Sequence, residues 1–186
     1  MILRIRRPDD FHFHSRMGKI LYEVILYTVR VFARGLPMPN TVWPLLTAAD
    51  ALRLRDYILR YLGKSYDFTV VMAIKMTAKT TQKILIEAFE AGVRVVKLYP
   101  EGVTTNSSDG VRDFRKFFYL FRLMEKLGMI LSIHGEMPGV DPMESERAFL
   151  PVLIEIHRRF PKLKIVLEHV TTAEGVEVIK SLGETV

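Results

Sequence analysis

His12 and His14 stand one residue apart in DDFHFHSR, and the chain also carries His134 in SIHGE and His169 in LEHVTT. Neutral imidazole is a good ligand for zinc and related divalent ions, and two imidazoles at i and i+2 on a strand point to the same side of it. By the same alternation Phe11 and Phe13 face the other way, into packing. A single histidine at a strand end is ordinarily a hydrogen-bonded structural residue. Here four of the five histidines, His12, His14, His134 and His169, fall at or just past the C-terminal ends of predicted strands. In parallel α/β folds those ends share one rim, so the four imidazoles converge on it. The fifth, His157, lies in a predicted helix beside Arg158 and Arg159 and reads as a solvated face residue.

Lys97 ends an apolar strand in VVKLYP. At a surface it would extend its stem and keep its charge in water. Burial instead lowers a lysine's pKa and leaves a nucleophilic amine. Such an amine captures carbon dioxide as a carbamate, an anionic oxygen donor able to bridge two metals, which a set of neutral imidazoles otherwise lacks. The chain contains no cysteine, which excludes disulfides, thiolate zinc sites and cysteine nucleophiles.

The elements that must position these residues repeat. Strands are predicted at Leu3 to Ile5, Gly35 to Met38, Phe68 to Ile74, Val93 to Leu98, Met129 to Ile133 and Leu163 to Leu167. Helical segments are predicted near 17–33, 47–62, 79–91, 111–127, 144–159 and 173–182. A β-then-α unit recurring about every 30 residues specifies parallel βαβ architecture. The aromatic stripe Phe114, Phe117, Phe118, Phe121 and Met124 has helical spacing and is assigned to packing. Gly92 and Gly128 sit where left-handed C-cap residues belong. The longest irregular pieces, Pro100 to Gly110 and Glu136 to Glu144, follow strands, on the side where such folds carry their sites.

The 186 residues are 49% hydrophobic and 26% charged, with a net charge of +6 and a sequence pI near 9.6. That composition describes a soluble globular protein, with one domain over 1–186 as the expectation. The basic excess attracts anions but does not specify nucleic acid, and no nucleic-acid module or basic, aromatic-interleaved stripe is found. Charges at Arg4, Arg6, Arg7, Asp9 and Asp10 leave no secretory h-region, and no apolar run is long enough to span a membrane. A cytoplasmic location with no membrane or nucleic-acid partner is expected.

Six motifs occur in order: HFHSR at His12 to Arg16, MPN at Met38 to Asn40, KLYP at Lys97 to Pro100, TTNSSDGV at Thr104 to Val111, HGE at His134 to Glu136, and EHVTT at Glu168 to Thr172. Together they resemble the class II dihydroorotases, amidohydrolases built on a TIM (β/α)8-type barrel. The resemblance runs the length of the chain. It implies two divalent metals, zinc by family expectation, with His12 and His14 on the more buried ion and His134 and His169 on the more exposed one. It further implies a carbon dioxide-derived carbamate on Lys97 as the bridge. Arg16 and Asn40 would hold the substrate carboxylate, for which a planar guanidinium and an amide donor are suited, and Thr104 and Thr105 match a loop that closes over substrate. Tyr99 matches the motif without a chemical role. The implied reaction is the reversible cyclisation of the small molecule N-carbamoyl-L-aspartate to L-dihydroorotate, in a homodimeric family.

Six units are fewer than the eight of a closed barrel. The expectation is an incomplete barrel, ending before the seventh strand, whose outer strands are unpaired. The family's proton-shuttling Asp belongs to the eighth strand and is expected to lie beyond Val186. No catalytic residue is therefore assignable, and the isolated chain is expected to have weak or absent activity. Among other carboxylates, Glu168 is expected to point away from the metals if His169 points toward them. Asp9 and Asp10 are expected in a loop or turn, and Glu136 could face the rim. Lys75 and Lys79 occupy the exit of the third strand, where the resemblance leads one to expect an acidic residue. Two alternatives stand beside the dihydroorotase reading: a non-catalytic metal-binding or interaction subunit needing a partner chain, and a hydantoinase-like or other cyclic amidase.

Overall fold

The computed structural model describes residues 4–186. Seven short strands and six helices alternate along it. They are β1 (Asp9–Phe13), α1 (Lys19–Val31), β2 (Arg34–Pro37), α2 (Ala48–Leu62), β3 (Thr69–Val70), β4 (Ala73–Met76), α3 (Gln82–Glu90), β5 (Val95–Leu98), α4 (Phe118–Leu127), β6 (Ile130–Ile133), α5 (Pro142–Arg159), β7 (Lys164–Leu167) and α6 (Ala173–Leu182). Every strand pairing is parallel. The strands form two sheets, ordered β1-β2-β3 and β4-β5-β6-β7, and no closed barrel exists among the described residues.

Two of the expected strands are built differently. The first strand is Asp9–Phe13 rather than Leu3 to Ile5, of which Leu3 lies outside the described residues and Arg4 and Ile5 are irregular. Asp9 and Asp10 are therefore strand residues: Asp9 Oδ1 accepts from Arg34 Nε at 2.9 Å and Asp10 Oδ1 from the His12 amide at 3.1 Å. The single strand expected over Phe68 to Ile74 is split, which raises the strand count from the expected six to seven without adding a βα unit. Its first half pairs with β2 and its second with β5, and the Lys75 amide donates to the Leu45 carbonyl at 2.7 Å instead of to a strand. The loop after β2 thus wedges between the sheets.

Helix starts follow local chemistry. Thr47 and Asp50 form a capping box on α2. Thr81, Asp141 and Thr172 cap α3, α5 and α6 through side-chain oxygens that accept backbone N–H groups. The segment expected as one helix over 111–127 begins as a 3-10 turn, Phe114–Phe117, before α4. Its aromatic stripe packs as expected, with Phe114, Phe117, Phe121 and Met124 buried, and Gly128 takes the left-handed C-cap conformation. His157 is half-buried rather than solvated, with Nε2 3.1 Å from Thr185 Oγ1. Val186 takes no part in the rim: it is half-buried against the main core, and its amide donates to the Gly183 carbonyl at 3.3 Å after α6.

Period-2 alternation sorts the strand residues onto two faces. Ile74, Met76, Val96, Leu98, Leu131, Ile133, Ile165 and Leu167 join the large core under the helices. On the opposite, inner face, Leu36, Met38, Ala73 and Val95 form a small separate apolar cluster. The next inner-facing positions toward the strand ends are Lys75, Lys97 and Ser132. In register, Lys75 pairs with Lys97, Lys97 with Ser132, and Ser132 with Val166. Gly35 is required on the helix side of β2, since a Cβ there would stand 2.6 Å from Phe68 Cζ and 2.9 Å from Phe13 Cε1. Phe13 is buried as expected, but Phe11 is not: it is exposed on the outermost strand, under the Arg34 guanidinium at 5.2 Å.

Candidate metal centre and substrate pocket

The four rim histidines are brought together. The rings of His12 and His14 lie 5.5 Å apart between centroids, those of His12 and His169 5.4 Å, and those of His134 and His169 4.4 Å. His169 Nε2 is 2.9 Å from His134 Nδ1. Lys97, fully buried below them, donates to Glu168 Oε2. Glu168 also accepts from Ser132 Oγ at its other oxygen, and its Oε2 lies 2.7 Å from His12 Nδ1. All five residues of the expected ligand set, His12, His14, Lys97, His134 and His169, therefore belong to one contact chain.

Glu168 overturns its sequence-based placement. It points into the cluster and is buried, because β7 ends at Leu167 and the alternation rule no longer governs the residues after it. His169 then turns the chain with a positive φ of 40°, which lets consecutive residues serve the same site. His12, Glu168 and His169 offer ligand atoms that all lie within 4.8 Å of one another. Glu136 does reach the rim, with Oε1 3.1 Å from His134 Nε2. Among the described residues, Glu168 and Glu136 are the carboxylates in contact with histidine rings of the cluster.

The electrostatics favour lone pairs over protons. Burial first, and then the electrostatic influence of His169 and Lys97, holds His134 down to a pKa of about 3. Burial likewise lowers His12, helped by Lys97, and His14, helped by His12 and Arg16. His169 is lowered by burial and then by Lys97 and His12. Burial alone puts the Lys97 amine well below the ordinary lysine range. His12 Nδ1 and His134 Nε2 are buried without an aligned hydrogen-bond partner among the described residues. Imidazoles whose pKa values are held down by burial, beside a carboxylate and an amine of lowered pKa, are a donor set that fits a divalent metal.

Beside the cluster lies a cavity of about 220 Å³ lined by His14, Arg16, Asn40, Thr41 and Asn106, among others. It joins Arg16 and Asn40 to the histidines. Thr105 takes part through its backbone, its carbonyl accepting from Asn40 Nδ2 at 3.0 Å. Thr104 lies deeper in its loop, where its amide donates to Ser107 Oγ at 3.0 Å. Among the described residues, three non-glycine residues have positive φ: Arg16 at 58°, Asn106 at 55° and His169 at 40°. All three line this cavity or the histidine cluster, and backbone strain of this kind concentrates at functional sites.

Sequence reasoning missed two members. Lys75, noted only as a departure from pattern, is buried and bonds to the Pro100 to Gly110 loop. Glu146, in α5, is also buried. It accepts from the amides of Thr171 and Thr172 at 2.8 and 2.9 Å and from their hydroxyls at 3.0 and 2.5 Å, clamping the segment that follows His169. A glutamate on an otherwise apolar helical stripe was the available signal.

Parallel strands with histidines clustered at their C-terminal ends put the site where barrels of alternating strands and helices carry theirs. The chain belongs to the amidohydrolase family, whose pattern matches residues 39–179. The dihydroorotase of Agrobacterium fabrum (strain C58 / ATCC 33970) is 43% identical over 183 residues, which are 96% of this chain and 53% of that protein. The crystal structure of dihydroorotase from Saccharomyces cerevisiae, in complex with 5-fluoroorotic acid, superposes with a TM-score of 0.88 at 31% identity, over 96% of this chain and 52% of that one. Dihydroorotase from Campylobacter jejuni gives 0.87 at 31% identity, over 94% and 51%. The chain spans about half the length of the curated relatives it matches, and its open sheets are an incomplete barrel of the TIM type. No helix among the described residues is long and apolar enough to cross a membrane.

Proposed function

We propose that this chain is the metal-binding portion, one incomplete amidohydrolase unit over 1–186, of a dihydroorotase that interconverts N-carbamoyl-L-aspartate and L-dihydroorotate. The observation that carries the reading is the adjacency of the Arg16 and Asn40 cavity to the histidine cluster, since those two residues bear on substrate rather than metal. The 43% identity to a dihydroorotase supports it.

Two divalent cations, zinc by family expectation, would supply Lewis acidity and water of lowered pKa. His12, His14, His134 and His169 would hold them, with Lys97 between. Lys97 would carry the carbon dioxide-derived carbamate and so supply an anionic oxygen donor to the metals, its amine giving up one proton to solvent as nitrogen bonds carbon and a C=O π bond opens. Burial lowers the Lys97 pKa, which favours the free amine needed for that role. Arg16 would bind the substrate carboxylate by a two-pronged contact and Asn40 would donate an amide hydrogen. Thr104 and Thr105 would close over the ring from the loop above.

The test is conversion of L-dihydroorotate by the protein produced from its complete reading frame, with and without a chelator. Chelator-sensitive ring opening in preference to hydantoin supports the reading. Preference for hydantoin would make it a different cyclic amidase, and bound metal without turnover would favour a non-catalytic subunit.

A further inference from the structure

Lys75 stands opposite Lys97 in register and is 1% exposed, yet its ammonium turns to the Pro100 to Gly110 loop. It donates to the Asn106 carbonyl at 2.7 Å and forms an ion pair with Asp109. The loop is knit to itself. The Val111 amide donates to the Tyr99 carbonyl at 2.8 Å, closing its neck, while the amides of Gly102 and Gly110 donate to the Ser107 carbonyl at 3.0 and 2.9 Å. Gly110 cannot carry a side chain, because a Cβ would stand 2.6 Å from the Tyr99 carbonyl oxygen.

A loop closed on itself docks as a unit, and side chains from two places reach it. From the β2 exit, Asn40 Nδ2 donates to the Thr105 carbonyl at 3.0 Å and the Asn40 carbonyl accepts from Asn106 Nδ2 at 2.9 Å. From β4 comes Lys75. Both tethers end on residues 105–109, and Asn106, held at φ 55°, is a wall of the cavity that contains His14 and Arg16. A buried ammonium without a partner is costly. The loop supplies both the carbonyl and the carboxylate that satisfy this one, so undocking would strand it.

We propose that Lys75 and Asp109 form a latch that docks the Pro100 to Gly110 loop and fixes Asn106 in the wall of the Arg16 cavity. Lys75 is thereby a positioning residue for substrate binding, a role that rests on the dihydroorotase reading of that cavity. The latch itself is a physical contact that can be tested without turnover.

Hydrogen exchange by mass spectrometry on wild type, Lys75→Met and Asp109→Asn decides it. The latch predicts that amides of 102–110 exchange at least about tenfold faster in both variants, while those of β4 and β5 stay within about twofold. Loop protection within about twofold of wild type, in either folded variant, would overturn it. If Lys75→Met fails to fold, Asp109→Asn, altered at a half-exposed loop position, decides alone. Where ring opening is measurable, both variants should raise KM about tenfold with kcat within about threefold. A fall in kcat at unchanged KM would refute the positioning role. Absence of ring opening in the protein produced from the complete reading frame would fail the dihydroorotase reading and leave the exchange result to judge the latch.

Discussion

Lys97 and Glu168, 71 positions apart, meet on the inner face of the sheet as a buried ion pair that ties β5 to the end of β7. Glu168 is 5% exposed at its side chain and Lys97 is 0%, so neither has bulk water as a substitute partner. In metal-free protein, Glu168→Ala should cost roughly 3–5 kcal/mol of stability, because it leaves a buried amine alone. The double variant Lys97→Met with Glu168→Leu should recover most of that loss. Urea unfolding of the two singles and the double closes the cycle. Additive losses would mean that the pair does not interact energetically.

Glu146 predicts an acid-sensitive clamp on the same end of the molecule. Burial pushes its carboxyl up, but the hydrogen bonds from Thr172 and Thr171 outweigh burial and leave it below the usual glutamate value. A carboxylate with a lowered folded-state pKa contributes stability above its unfolded value of 4.5 and loses it as the pH falls through the folded value. Glu146→Ala should cost roughly 2–3 kcal/mol at neutral pH from its stranded donors. The cost should shrink as the solution is acidified below that range, as read by urea midpoints at a series of pH values.

His134 sets a second pH window in the metal-free protein. Its folded value of about 3 lies below its unfolded value of 6.5, so the unfolded chain binds the extra proton between those limits and stability rises with pH across them. Acidifying metal-free protein from pH 7 to 4 should therefore lower its urea midpoint. His134→Asn should flatten that dependence; an unchanged slope would show that His134 does not titrate as its surroundings dictate.

Arg16 should separate substrate binding from metal binding. Arg16→Lys keeps the charge but loses the planar fork, and a loss of roughly 2 kcal/mol corresponds to about a 30-fold fall in kcat/KM. Metal content should not change. Loss of metal in this variant, measured by elemental analysis, would place Arg16 in the metal site instead.

The fold was legible because helix and strand periods differ and each βα unit repeats both: all six helical segments and five of six strands fell near their observed places. Leu3 to Ile5 misled, since a short apolar run carries no pairing information, and the acidic Asp9–Phe13 gains its strand through Arg34 and β2. The histidines were legible from their spacing. Glu168 was not, because strand alternation gives no guide to the turn at His169. Nor was the burial of Lys75, whose partners lie 31 and 34 positions away in a loop.

The most direct test of the account is the metal content of wild type and Lys97→Ala after zinc loading in bicarbonate and extensive dialysis. A bridged centre predicts two zinc ions retained per wild-type chain and no tightly held pair in the variant. Two zinc ions retained by Lys97→Ala, or none retained by the wild type, would contradict it.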